Sequence, residues 1–171
     1  MPKMNYPVIE TDRLSLRLLT LADREAVFRH FSDEEVTRYM DIPPCRDIRE
    51  ADGIIRFHMD DPGCRWGIFD KRQNQLAGTC GYHCWSGGPA GKAEIGFDLS
   101  RACWGKGMMT EALLPVISFG YEVMGLKTIE ATVDPENERS LRLLSTLGFS
   151  KKEELVDNLV YFYMRQSQFT R

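Results

Sequence analysis

Gly105 and Gly107 stand two residues apart in the segment Ser100-Arg-Ala-Cys-Trp-Gly-Lys-Gly-Met-Met-Thr-Glu-Ala112, a pattern suited to holding an anion. The segment follows an alternating run, Ala93 to Leu99, that reads as a strand. It leads into an apolar-periodic run, Glu111 to Val123, that reads as a helix. The first N–H groups of a helix have no intrahelical partner and lie at the positive end of its dipole. Glycines just ahead of them leave the backbone unobstructed, so a phosphate or pyrophosphate can approach. Two common phosphate loops do not match. Thr110 stands where the dinucleotide fingerprint needs its third glycine, and Met108 follows Gly107 where the nucleoside-triphosphate loop needs lysine.

An ordinary tight turn would also explain the glycines, and a second block argues for the functional reading. It is Val133-Asp-Pro-Glu-Asn-Glu-Arg-Ser-Leu-Arg-Leu-Leu-Ser-Thr-Leu-Gly-Phe149. Lys127 to Val133 is a β-branched, strand-like run that Pro135 ends. Asn137 is a good helix N-cap; Leu141, Leu144 and Leu147 keep helical spacing, and Gly148 stops the helix. The Trp-Gly-Lys-Gly turn opening a helix, followed by Asn-x-x-Ser and Leu-Gly-Phe, resembles the GNAT superfamily of acetyl-coenzyme A-dependent N-acetyltransferases. Within it, Thr11-Asp-Arg-Leu-Ser-Leu-Arg17 with Asp23 is similar to the start of the RimJ/RimL-type branch, which acetylates ribosomal-protein N-termini. The resemblance runs from about Glu10 to Tyr163.

The resemblance implies a role for particular residues. Backbone N–H groups of Trp104, Gly105, Lys106, Gly107, Met108 and Met109 would bind the pyrophosphate of acetyl-CoA. Met109 departs from the family pattern, which has a small residue there, so its side chain must point away from the phosphates. Phe97, Asp98 and Leu99 would bond the pantetheine arm through their backbone, with an N–H near Phe97 facing the thioester oxygen, the logic of an oxyanion hole. The Asn137 amide would also bond that arm. Many relatives carry a general-acid tyrosine where this chain has Leu144. Ser140, four residues earlier on the same helix face, matches the serine proposed for that role in this branch, and would donate a hydrogen bond to the departing sulfur. Glu94 aligns with an acidic position used as base, acting directly or through water; His83 and Asp98 are the alternatives. Trp66, Tyr82, His83 and Trp85 would line the acceptor site, with an aromatic core position the alternative for at least one of Trp66, Tyr82 and Trp85. The expected reaction is direct transfer in a ternary complex to a primary amine, with a protein N-terminal α-amine favoured. A small amine (polyamine, amino acid or aminoglycoside) is the enzymatic alternative, and an acyl-CoA-binding module without catalysis is a third.

Composition is consistent with this. The chain has 171 residues, 43% hydrophobic, which suits one domain spanning 1–171. Its net charge of −3 and lack of a basic stripe give no support for nucleic-acid binding. No apolar run reaches membrane-spanning length and the start lacks a signal-peptide core, so a cytoplasmic protein is expected; the residues leave its oligomeric state open, a homodimer included. The odd count of five cysteines suggests free thiols rather than disulfides. Cys80, His83 and Cys84 invite a zinc reading. In a regular strand, however, His83 would point away from the two cysteines, and no second pair completes a tetrahedral set, so no metal is expected.

The elements that must position these residues form a mixed α+β order. Strands are expected over Leu14–Leu19, Cys64–Asp70, Leu76–Trp85, Ala93–Leu99, Lys127–Val133, Phe149–Val156 and Leu159–Met164. Helices are expected over Ala22–Phe31, Glu34–Tyr39 and Ile48–Met59, besides the two described above. The fold implied by the resemblance is a GNAT fold: a curved, mostly antiparallel sheet of about seven strands, flanked by helices and splayed at a cofactor cleft.

Overall fold

The structure is a computed structural model that describes residues 5–61 and 63–169. Its sheet has eight strands in the order β1-β2-β3-β4-β5-β6-β8-β7. They are β1 (Ile9–Glu10), β2 (Leu14–Leu18), β3 (Cys64–Asp70), β4 (Gln75–Ser86), β5 (Lys92–Leu99), β6 (Thr128–Val133), β7 (Ser150–Lys151) and β8 (Val160–Arg165). The helices are α1 (Arg24–Phe31), α2 (Glu34–Thr37), α3 (Ile48–Asp60), α4 (Met108–Glu122) and α5 (Glu138–Thr146). All neighbouring strands are antiparallel except β5 and β6. That parallel pair is joined through α4, as a parallel connection requires a crossover.

Helices cover both faces. Alternation in β3 and β4 sends Cys64, Trp66, Ile68, Cys80 and Tyr82 to one face, where they pack with Ala112, Leu113, Val116 and Ile117 of α4. Under α1–α3, Leu19, Val27, Phe31, Ala51, Ile55 and Phe69 form a second, smaller core. α4 is apolar on nearly every side because it lies in the larger core. Its start at Met108, one turn before the expected Glu111, follows from burial of Met108 and Met109.

Two expectations need correction. Trp66 and Tyr82 are core residues, 0% and 2% exposed. The Trp66 indole donates to the Pro7 carbonyl (3.0 Å) and its ring meets Tyr6 and Phe119 edge-on. The Tyr82 hydroxyl donates to the Val116 carbonyl (2.8 Å). Alternation puts both on the α4 face rather than in the acceptor site. The expected strand Phe149–Val156 shrinks to Ser150–Lys151 plus an isolated bridge, Val156 to Leu159. The run Lys151-Lys152-Glu153-Glu154 has no apolar side to bury, and Asp157 and Asn158 turn the chain with positive φ. β1 was not anticipated, since two residues give no periodicity to read.

Gly120 of α4 makes room for Tyr82. A methyl added there would fall inside van der Waals contact of the Tyr82 hydroxyl and ring. Gly→Ala inside a helix ordinarily stabilises by about 1 kcal/mol. Here overpacking opposes that gain at about 1–3 kcal/mol. Gly120→Ala is therefore expected to lower stability in urea unfolding, and a stabilised variant would show that Tyr82 yields without cost.

Candidate active site

β5 and β6 pair only at Lys92–Thr128, Ala93–Ile129 and Glu94–Glu130. Beyond Glu94 the strands part: β5 stays with β4 and β6 with β8. A cleft of about 880 Å³ opens between them, within the ordinary range for ligand sites. Ile95 to Leu99 form one wall and Ala131 to Val133 the other. Gly105 and Gly107 lie at one end, with Asn137 and Ser140 beside them; Tyr39, just after α2, and Ile54, Phe57 and His58 of α3 also line the cleft. The β6-facing backbone of β5 past Glu94 has no ladder partner in β6. Such groups need a partner when covered, so a ligand with amide groups along an extended arm fits the split.

The turn at the end of the cleft is held from both sides. Gly105 and Gly107 have φ of +73° and +72°, a conformation that costs other residues about 1–2 kcal/mol. Gly107 is the N-cap of α4, so the first N–H groups of the helix follow directly. Glu111, in the first turn of α4, accepts from Thr11 Oγ1 (2.5 Å), the Arg13 N–H (3.0 Å) and Arg13 Nε (2.7 Å). Arg13 Nη1 then donates to the Lys106 carbonyl (2.9 Å). This ties the turn to the start of β2 and leaves its opposite side facing the cleft. The Trp104 indole donates to the Leu99 carbonyl (2.9 Å), and the Arg139 guanidinium stacks 3.2 Å from the ring centroid. Met109 is buried against the larger core and also lines the cleft. Lys106 is exposed and is not among the lining residues.

The α5 wall is simpler. Asn137 Oδ1 accepts the Ser140 N–H (3.3 Å), which caps the helix. The Asn137 amide N–H groups and the Ser140 hydroxyl have no protein partner among the described residues, and both residues line the cleft. Leu144, where relatives carry tyrosine, is fully buried in the core and does not reach the cleft.

Glu94 sits at the apex of the split. Its Oε1 accepts from Thr132 Oγ1 (2.7 Å), and its Oε2 lies 3.5 Å from His83 Nε2. His83 holds the carboxyl below its usual range against the opposing effect of burial, with help from Thr132. The group is therefore ionised at neutral pH and able to accept a proton. Asp98 has a different role. It is buried, bonded to Thr79 Oγ1 (2.6 Å), Arg65 Nη2 (2.9 Å) and His30 Nε2 (2.5 Å). Burial would raise its value, but His30, Arg65 and Thr79 overcome this and hold it far below the carboxylate range. A carboxylate so occupied is a tie between α1, β3 and β5, which argues against the expectation of a base there. Trp85 is half-buried against the larger core and does not line the cleft.

Sequence reasoning missed His58 and Arg65, which line the cleft, and the bonding role of Arg13 and Glu111. His58 is pushed down to about 4, first by burial and then by Arg65, so its imidazole is neutral at neutral pH. The signal for it was present: His58 lies seven residues after Ala51 and three after Ile55, on the inward stripe of α3.

Comparison with known proteins agrees with this geometry. Residues 13–150 match a family model described as an acetyltransferase (GNAT) domain. The chain is 38% identical over 151 residues to the N-acetyltransferase p20 of Bacillus licheniformis, covering 86% of this chain and 84% of that protein. It is 29% identical over 168 residues to the ribosomal protein uS5-alanine N-acetyltransferase of Escherichia coli, covering 92% and 87%. The fold matches spermidine N-acetyltransferase of Vibrio cholerae, solved with CoA and spermine, with a TM-score of 0.80 at 20% identity, covering 92% of this chain and 98% of that one.

A ligand that binds only the folded state raises its stability. Coenzyme A is expected to raise the melting temperature of the wild-type protein. Gly107→Glu should fold and lose that shift, because it strains the left-handed position and sets a negative charge against the phosphates. Unchanged coenzyme A affinity by calorimetry in the folded variant would refute this placement.

Proposed function

The chain belongs to the GNAT family and is an acetyl-CoA-dependent N-acetyltransferase; we propose that its acceptor is a protein N-terminal α-amine, acetylated by direct transfer. When bound, acetyl-CoA supplies the acetyl group already activated as a thioester. The backbone N–H groups of the turn from Trp104 to Met109 hold its pyrophosphate. The unpaired edge of β5 around Phe97 to Leu99 and the Asn137 amide hold its arm. Ser140 donates a hydrogen bond to the departing sulfur.

Glu94 takes the proton of the incoming amine. The observation that carries the reading is its place at the apex of the β5/β6 split, ionised and beside His83. The available bases at the site, a carboxylate and imidazoles, also bear on the acceptor. An α-ammonium has an ordinary value of about 7.7–8.0 and an alkylammonium about 10.4. The α-amine is thus a few hundred-fold easier to neutralise, which matches these weak bases. The Escherichia coli relative, which acts on a protein alanine, supports the same choice.

The thiols favour direct transfer over an acetyl-enzyme. Cys45, Cys64 and Cys80 are buried, and burial pushes the Cys103 thiol up although Lys106 opposes it. A thiol raised in this way is a poor nucleophile. The acidic residues Glu35, Asp41 and Glu50 at the acceptor side favour a small polycationic amine as the second reading.

Glu94→Gln is expected to lower turnover about 100- to 10,000-fold with acetyl-CoA affinity nearly unchanged. Wild-type rates across pH would move the base to His83 or His58. Ser140→Ala should lower turnover modestly without weakening coenzyme A binding, since its bond strengthens only as charge grows on sulfur. Unaltered turnover, with chemistry rate-limiting, would reduce Ser140 to a helix-terminus residue. A panel of alanine- and serine-starting peptides beside spermidine tests the acceptor: higher kcat/KM for peptides is expected, and preference for spermidine would support the second reading.

A further inference from the structure

The strand β4 does not stay regular to its end. Its register against β5 shifts between His83 and Ser86, and Cys84 takes a positive φ of +52°. Simple alternation would send His83 and Cys84 to opposite faces. Instead, one ligand-capable atom from each of His83, Cys84 and Glu94 lies within 4.8 Å of the others. Cys80, which the sequence grouped with them, is buried in the larger core and takes no part.

We propose that His83, Cys84 and Glu94 form a binding site for a zinc-like divalent cation, and that occupancy of this site switches the transferase off. The donor set is one imidazole nitrogen, one thiolate and one carboxylate. Such a mixed soft and hard set suits zinc better than calcium or magnesium, which take oxygen ligands. Zinc bonds of about 2.0–2.3 Å in a tetrahedron place neighbouring ligand atoms about 3.3–3.8 Å apart. The His83–Glu94 pair is already at 3.5 Å, and the Cys84 ligand atom lies within 4.8 Å of both. Three protein ligands leave the fourth position to water. Burial and then the negative charges of Glu94, Asp61 and Glu130 push the Cys84 thiol up. The same negative field attracts a cation. On binding, the thiol gives its proton to solvent, and the metal takes its place on sulfur.

Inhibition follows from what the metal would occupy. Glu94 bound to a cation can no longer accept a proton from the amine, and the ion blocks the acceptor side of the cleft rather than the phosphate turn. Zinc should therefore compete with the amine and not with acetyl-CoA. This inhibitory consequence rests on Glu94 being the base; the binding itself does not.

Cobalt titration of the metal-free protein reads the site directly through the thiolate-to-cobalt charge-transfer band in the near ultraviolet. A band saturating at one equivalent is expected. Cys84→Ser should abolish it, and Cys103→Ser, at a half-buried thiol that lines the cleft, should keep it. Because Cys84 is exposed, its replacement does not endanger the fold, and His83→Asn should give the same spectral loss. In assays, Cys84→Ser should keep the metal-free turnover of wild type and lose at least about tenfold in zinc sensitivity. Absence of the band, its survival in Cys84→Ser, or its loss only in Cys103→Ser overturns the site. A band lost in Cys84→Ser together with turnover indifferent to zinc upholds the site, overturns the switch and removes Glu94 as the base.

Discussion

The structure depends on two parallel strands that stop pairing. β5 and β6 are bonded through Glu94–Glu130 and no further. A sheet interior that gives up its ladder leaves backbone donors and acceptors that must find another partner. Here the cavity beside them is shaped as a slot, closed at its apex by Glu94 and Thr132 and ended by the glycine turn and the start of α5. The same divergence supplies the place for an extended ligand and its hydrogen-bonding edge. It also fixes why Glu94 matters: it is the last paired residue of β5 before the gap.

Two networks keep the slot from collapsing. Glu111 gathers Thr11 and Arg13, and Arg13 reaches the Lys106 carbonyl, so the glycine turn is anchored from behind. On the α1–α3 side, Asp98 joins His30, Arg65 and Thr79. That tie fastens α1, β3 and β4 to β5, the strand that forms one wall. Its charges are buried and mutually satisfied, so removing one partner would leave the others uncompensated, the costly case for a buried pair. Arg139 stacked on Trp104 bridges the turn and α5 across the mouth of the slot.

Much of this was legible in residue order. The glycine turn, the strand before it and the helix after it declare themselves by composition, and Asn137 marks the next helix start. β3 was readable to the residue because its turn residues bound it on both sides. The split itself was expected only through family resemblance, since periodicity reports which face a residue takes and not whether a neighbour strand follows. Trp66 and Tyr82 were misplaced because an aromatic side chain on a strand says nothing about which covered face it meets. At Cys84 the sequence grouped the thiol with Cys80 and His83 on the assumption of alternation, and no sequence feature announced the register shift that places it near Glu94. His58 and Arg65 come from the consecutive elements α3 and β3, and it is the packing of α3 on the sheet that brings His58 to the cleft.

If the unpaired edge of β5 and the glycine turn together receive coenzyme A, both become protected on binding. Residue-resolved amide hydrogen exchange, with and without coenzyme A, addresses both at once. The β6-facing amides between Ile95 and Leu99, and those of Gly105 to Thr110, are expected to exchange slowly only when coenzyme A is bound. Bound coenzyme A that leaves those amides unprotected, and protects another surface, would contradict this placement.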